Sequence, residues 1–387
     1  MSKKMAFLIF FSVVLLIYGS VNYYIYVRGM QALPDGSFIK SVFPWVFWIL
    51  VLTYVAGRFL ERIYLSNVSD VLVWTGSFWL SAMLYFFLAV LLFDIIRLVN
   101  HLIPFYPKFI ASNYENIKLY LFSGITILVG LTILLGHINT LNPRIKELNI
   151  HIPKQANGMQ ELNAVVMSDI HLGTIVGNGH FMKIVEKVKK LNPDIILLAG
   201  DVLDEDLEPV LRQNTGETLK RLQAPMGVYG IMGNHEHIGG ADAAFNYLET
   251  HGIKIIRDSV IKINDSFYLI GRDDRDKPRF SGRDRKELGE LVKMVDPSYP
   301  LILLDHQPYY LEKAAGLGID LQLSGHTHHG QLWPLNLVTS AIYTLSYGYG
   351  KIGNMHAYVS NGVGTWGPPV RVGNKPEIIN LKITFGE

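Results

Sequence analysis

The sequence predicts a layered α/β domain preceded by a membrane-spanning region of about four helices, and three observations carry that prediction. Charge is unevenly spread. Up to Pro143 the chain has 9 Lys+Arg and 5 Asp+Glu, which leaves 26 and 28 of its 35 and 33 for the remainder. Within that first part, four stretches are apolar and almost free of charge, and crossing a bilayer as a helix takes about 20 such residues. From Leu162 onward, short runs rich in Val, Ile and Leu alternate with helical patterns, the signature of a layered α/β domain. The 387 residues are enough for two domains. The division read from them is a transmembrane region at 1–141, a polar linker at 142–160 and a globular domain at 161–387.

The four apolar stretches are residues 5–27, 41–57, 71–93 and 119–136. Lys3 and Lys4 precede the first, as in a signal peptide, but no small-residue cleavage site follows Ile17, so it reads as an uncleaved helix. Trp45, Trp48, Trp74 and Trp79 sit in or near these stretches, where interfacial aromatics gather. Asp94 and Arg97 read as an interfacial i,i+3 pair. Four spans put both termini on one side of a cell membrane. The Lys/Arg count, seven against five across the alternate loops, favours a cytoplasmic globular domain.

Within that domain, residues 180–191, 208–222, 241–251, 283–295 and 310–317 read as helices. Residues 260–264 and 267–271 flank Asp265-Ser266 as a hairpin, and strands near 357–360 and 378–385 finish the sheet. Residues 333–354 are apolar and aromatic, with no charge before Lys351, and read as a long substrate loop or one that dips toward a membrane. The net charge of +2 lacks the basic stripe a nucleic-acid binder needs. With no Cys there is no disulfide framework, zinc finger or thiol nucleophile.

Five of the apolar runs end in polar clusters. Residues 164–167 lead into Ser168-Asp169-Ile170-His171, and 195–199 into Gly200-Asp201-Val202-Leu203-Asp204. Residues 228–232 lead into Gly233-Asn234-His235-Glu236, 301–304 into Asp305-His306, and 321–323 into Ser324-Gly325-His326-Thr327-His328. Runs this short and apolar are strands buried on both faces, and in open α/β sheets the ligand site lies outside the carboxyl ends of the strands. Each cluster alone is a weak signal, because Gly-Asp is more often a helix cap and a lone His more often structural. Five in this order, each at a strand end, are hard to reach by chance.

The order Asp-x-His, Gly-Asp-x-x-Asp, Gly-Asn-His-Glu, a lone His and Gly-His-x-His resembles the calcineurin-like metallophosphoesterase superfamily over about residues 162–385. The tail Val359-Ser-Asn-Gly-Val-Gly-Thr resembles its bacterial membrane-associated branch, and the apolar start resembles transmembrane proteins with a metallophosphoesterase domain. The resemblance implies a layered β-sandwich flanked by helices and a phosphoester hydrolase, phosphodiesterase or phosphatase, with two divalent metal ions. It implies Asp169, His171, Asp201 and His328 around the first ion, and Asp201, Asn234, His306 and His326 around the second, with Asp201 bridging. In-line attack would come from a hydroxide shared by the pair. His235 is then the candidate acid for the leaving oxygen, and Asp204 the carboxylate that orients it. A donor set of Asp, Asn and His without thiolate suits Mn, Fe or Zn.

His237 and His329 read as neighbours of the motifs, with ligation as the alternative, and Asp273 and Asp274 as structural, with lining of the substrate cleft as the alternative. The mixed-sign run 272–285 reads as a solvated face, with phosphate binding by Arg272 or Arg275 as the functional alternative. Arg371 reads as a substrate contact or a structural ion pair. The membrane region suggests a lipid-linked or membrane-surface phosphate substrate. A tethered phosphodiesterase for soluble substrates and a non-catalytic membrane sensor retaining the fold are the rivals.

Overall fold

The computed structural model describes residues 3–386, in two compact units, Met1–Gly136 and His137–Glu387. The first unit is helical: α1 (Lys3–Ala32), α2 (Phe38–Ile63), α3 (Asn67–Leu102), the short α4 (Lys108–Ser112) and α5 (Tyr114–Thr140), whose last turn enters the second unit. Among the described residues, α2, α3 and α5 are long and apolar enough to cross a membrane. Their starts are locally encoded. Ser37 accepts from the Lys40 amide ahead of α2, and Ser66 and Ser69 form a reciprocal cap on α3, meeting donors the first turn leaves unpaired. Asp94 has a stronger partner than Arg97. Arg28 on α1 reaches it at 2.7 Å, against 3.4 Å for Arg97.

The second unit holds two six-stranded sheets. The first, in order, is β1 (Arg144–Ile152), β12 (Glu377–Phe385), β2 (Glu161–Met167), β3 (Ile195–Leu198), β4 (Val228–Gly230) and β5 (Lys254–Ile255). The second is β10 (Gly348–Ile352), β11 (Met355–Val359), β9 (Leu321–Ser324), β8 (Leu301–Leu304), β7 (Phe267–Gly271) and β6 (Ser259–Ile263). Strands β2 to β5 run parallel, as do β7, β8, β9 and β11.

Strand alternation builds three apolar layers from these sheets. Ala164 and Val166 of β2 face Leu269, Ile302, Leu304 and Leu323 of the second sheet, so the two sheets form a sandwich. Val165 and Met167 face the other way, onto α6 (Asn178–Lys189), α7 (Glu208–Arg212), α8 (Thr215–Leu219) and, beyond α9 (Asn234–Gly239), α10 (Ala241–Thr250). On the far side of the second sheet, Ile270, Leu301 and Leu303 pack against α12 (Leu288–Val292) and α13 (Leu311–Gly316), which follow α11 (Lys277–Ser281). The architecture is the helix-flanked β-sandwich that the sequence predicts.

Four expectations change. Residues 144–152, read as linker, form β1 and pair in parallel with β12 along its whole length; only the end of β1 is buried, so its apolar signal is faint. The helix expected over 208–222 is two short helices, α7 and α8, because Asn214 between them is left-handed at φ 51°. The helix expected over 283–295 shrinks to α12, since Arg285 is drawn off to pair with Asp305. The loop 333–354 contains a helix, α14 (Leu335–Ile342), and the strand β10.

Candidate metal centre

Five carboxyl strand ends of the sandwich deliver the side chains singled out in the sequence. Asp169 and His171 follow β2, Asp201 and Asp204 follow β3, and Asn234 and His235 follow β4. His306 follows β8, and His326 and His328 follow β9. The loops lie on one another. Asp169 N–H donates to Gly200 O, His171 N–H to Asp201 O, and Gly325 N–H to His306 O. Asp169, His171, Asp201, His326 and His328 all have positive φ, between 46° and 71°. A left-handed backbone at non-glycine residues costs of order 1–3 kcal/mol each and gathers at functional sites. Two glycines permit the crowding. A Cβ on Gly233 would lie 2.1 Å from Asp201 Oδ1, and one on Gly325 2.2 Å from Asp169 Oδ2.

The polar atoms converge into overlapping groups. Asp169, His171 and His328 offer donor atoms all within 4.8 Å of one another, as do Asp201, His306 and His326, and as do His171, Asp204 and His235. Asn234 Oδ1 joins the second group, 2.8 Å from His326 Nδ1. Each aspartate spends part of its carboxylate on backbone: Asp169 accepts from His326 N–H, and Asp201 Oδ1 from His235 N–H. Asp201 Oδ2 is left between the groups, 3.0 Å from His306 Nε2 and 3.9 Å from His171 Nε2.

These residues fit divalent cations. His306 Nδ1–H donates to Ala199 O at 2.7 Å, which leaves the lone pair of a neutral ring on Nε2. That buried nitrogen has no hydrogen-bond partner and faces a carboxylate oxygen, an arrangement that only a proton or a cation between them relieves. Burial opposes charge on His306, but Asp201 outweighs it and holds the ring's pKa well above the usual histidine value. His171 Nε2 and His328 Nε2 likewise face each other at 3.0 Å. Burial, then the neighbouring His306, pushes His326 down to about 3. Burial, then His171 and Arg371, pushes His328 well down. Both rings are therefore neutral, the form that ligates.

His235 and Asp204 sit beside this cluster, with Asp204 Oδ1 3.1 Å from His235 Nδ1 and 3.6 Å from His171 Nδ1. Burial would lower His235, but Asp201 and then Asp204 raise it to about 9. At neutral pH the ring carries its proton. The open side of the cluster is flanked by Trp366, exposed and edge-on to His235 at 5.9 Å, and by Tyr343, 6.4 Å from His326.

Two contributions escaped the sequence, and a third residue, named there, has a different set of partners. Glu236, buried, accepts from the Gly233, Asp201 and Leu203 amides and so stitches two ligand loops together. Trp366 lies in a Gly/Pro-rich tail without periodicity, although Trp between Thr and Gly-Pro-Pro is a signal that could have been noted. Arg371 forms no ion pair among the described residues. It is fully buried, donates to Gly362 O and Gly364 O, and lies 3.2 Å from His328 Nδ1.

His237 is buried on Asp273 at 2.7 Å, and Asp273 also pairs with Arg257 and Lys277. Burial raises the Asp273 carboxyl, but the His237 hydrogen bond and the Arg257 and Lys277 charges win and hold it well below the usual range. A depressed carboxylate stabilises the fold above its unfolded pKa of about 3.9, and that stability is lost as pH falls through the folded value. Asp273→Asn should therefore cost about 2 kcal/mol at pH 7, with the gap to wild type closing below about pH 4. Melting in detergent across that range checks it, and a pH-independent gap would refute the electrostatic origin.

Residues 162–330 match the calcineurin-like phosphoesterase family. The chain is 28% identical over 388 residues to a Campylobacter jejuni protein described as a metallophosphoesterase, which covers 98% of this chain and 99% of that one. A Helicobacter pylori metallophosphoesterase is 32% identical over 62% of this chain and 64% of its own. A Danio rerio transmembrane protein with metallophosphoesterase domain is 30% identical over 64% of this chain and 59% of its own.

Proposed function

We propose that this chain, which carries a calcineurin-like phosphoesterase domain, is a membrane-anchored phosphoester hydrolase that uses two divalent cations on a lipid-linked or membrane-surface phosphate. The observation that carries the two-cation reading is Asp201, whose free Oδ2 faces His306 of one donor group and His171 of the other. Asp169, His171, Asp201 and His328 would hold one cation, and Asp201, Asn234, His306 and His326 the second. Such a pair, when bound, supplies charge neutralisation at a phosphoryl group and activation of water near neutral pH.

The chain's own residues supply the rest. Asp201 and then Asp204 raise the His235 pKa, which favours a ring that can donate to the leaving oxygen, or to a phosphoryl oxygen, as general acid. Asp204 orients that ring and favours its charged form. Trp366 offers a flat apolar wall beside His235 for the leaving group. The lipid-linked reading rests on α14, where Leu337, Val338 and Ile342 are all more than half exposed; apolar residues so displayed mark interaction surfaces.

The purified chain in detergent should hydrolyse bis-p-nitrophenyl phosphate with added Mn. A chelator should abolish turnover and lower the melting temperature, because a ligand at 100 times its Kd stabilises by about 2.7 kcal/mol. Re-addition of Mn, Fe or Zn should restore both. Lipid phosphates in micelles should exceed their soluble headgroup analogues in kcat/KM by at least about tenfold, since each buried CH₂ contributes about 0.8 kcal/mol. Absence of turnover with every metal, with metal bound, would favour the sensor. Equal use of micellar and soluble substrates would favour the tethered soluble-substrate enzyme.

A further inference from the structure

Strand alternation makes a second polar site on the opposite face of the sheet that carries His306. In β8, Ile302 and Leu304 face the sandwich and Leu301 and Leu303 face outward. Continuing that period sends Asp305 outward while His306 turns to the metal-ligand cluster. Ile270 of β7 faces outward, and Arg272, two residues on, follows it. The run read as a solvated face is thus partly buried: Arg272 is only 9% exposed.

Around Asp305 lies a cavity of about 200 Å³ lined by Arg272, Arg275, Arg285 and Lys313, with Tyr309 and Tyr310 at its side. Four cations meet two carboxylates there, Asp305 and Glu287. Arg272 Nη1 and Arg285 Nη1 take the two Asp305 oxygens at 2.9 and 2.8 Å, and Lys313 takes Glu287. Two positive charges are left over. One is in the Arg272–Asp305–Arg285 trio. The other is Arg275, which has no carboxylate within ion-pair distance among the described residues and lies over the Tyr309 ring at 4.2 Å. Arg272 Nε–H is buried and has no acceptor, an expensive state for a guanidinium donor.

We propose that this pocket binds an oxyanion of the phosphate class, at a site separate from the metal-ligand cluster. A phosphate near neutral pH carries up to two negative charges, which matches the surplus, and guanidinium forks suit its oxygens. Tyr309 joins the pocket to the open side of the metal cluster, since its ring packs, tilted, against Tyr343 at 4.8 Å and Tyr343 flanks His326.

The test titrates the full chain in detergent, stripped of metal, with inorganic phosphate at low salt by calorimetry. One saturable site per chain is expected. Arg275→Gln with Lys313→Gln, both on the rim, should weaken it at least tenfold, and Arg275→Lys should weaken it less. No saturable binding, or binding that ignores the rim double variant, overturns the proposal. Phosphatidic acid in mixed micelles is compared with glycerol phosphate: tighter micellar binding identifies a lipid headgroup as the source, and equal binding a soluble phosphate. Hydrolysis of bis-p-nitrophenyl phosphate by the remetallated wild type separates this proposal from the hydrolase reading, because turnover without phosphate binding sinks only the pocket.

Discussion

Asp201→Asn should lower turnover about a thousandfold or more while shifting the melting temperature of the metal-free chain by only a few degrees. The asymmetry follows from how the two carboxylate oxygens are used. Oδ1 accepts from His235 N–H at 2.9 Å, and an amide oxygen keeps that bond. Oδ2 faces His306 Nε2 and His171 Nε2, and an isosteric amide fills the same space there without a clash. Folding therefore loses little. What disappears is the negative charge shared by the two donor groups, and a neutral amide nitrogen does not ligate a cation. Metal content by atomic emission should fall from two ions per chain to one or none. Full activity in the variant would refute the bridging role. A melting temperature that collapses without metal would recast Asp201 as a structural residue.

Glu236→Ala should be the most destabilising single change near the centre, at about 3–5 kcal/mol. The carboxylate is buried and accepts from three amides: Gly233 at 2.7 Å, Asp201 at 3.2 Å and Leu203 at 2.8 Å. Truncation orphans all three in a site closed to water, at about 1–3 kcal/mol for each unsatisfied group. Burial, and then the Asp201 charge, pushes the Glu236 carboxyl up, while the Leu203 and Gly233 amides pull it back. Both oxygens serve as acceptors, Oε2 for Gly233 and Asp201 and Oε1 for Leu203. Glu236→Gln, which keeps one acceptor oxygen, should lose less than half as much. Thermal melting of both variants decides this; an alanine variant within about 1 kcal/mol of wild type would show that the loops hold without the stitch.

Much of the candidate site was legible because its parts are local. A buried parallel strand needs a short apolar run, and its carboxyl end needs polar side chains where the backbone turns. Asp169, Asp201, Asn234, His306 and His326 announce themselves this way, as does the 259–271 hairpin by its turn. The region 272–285 shows the limit. Its alternating charges look solvated, yet Arg272 is buried because Asp305, 33 residues on, is turned outward beside it. The expected helix over 283–295 fails for the same reason, since Arg285 serves a distant carboxylate rather than the local helical repeat.

By itself the sequence determined which stretches are apolar strands, where they stop, and which Asp, Asn and His side chains stand at those stops. These depend on periodicity and on residue chemistry within a few positions. Tertiary structure alone decided that β1 closes against β12 from the far end of the domain, that Glu236 ties the Asp201 and Gly233 loops, and that Arg371 backs His328. A polar side chain's partner is whichever group the packed strands bring within about 3 Å, and no local pattern carries that distance.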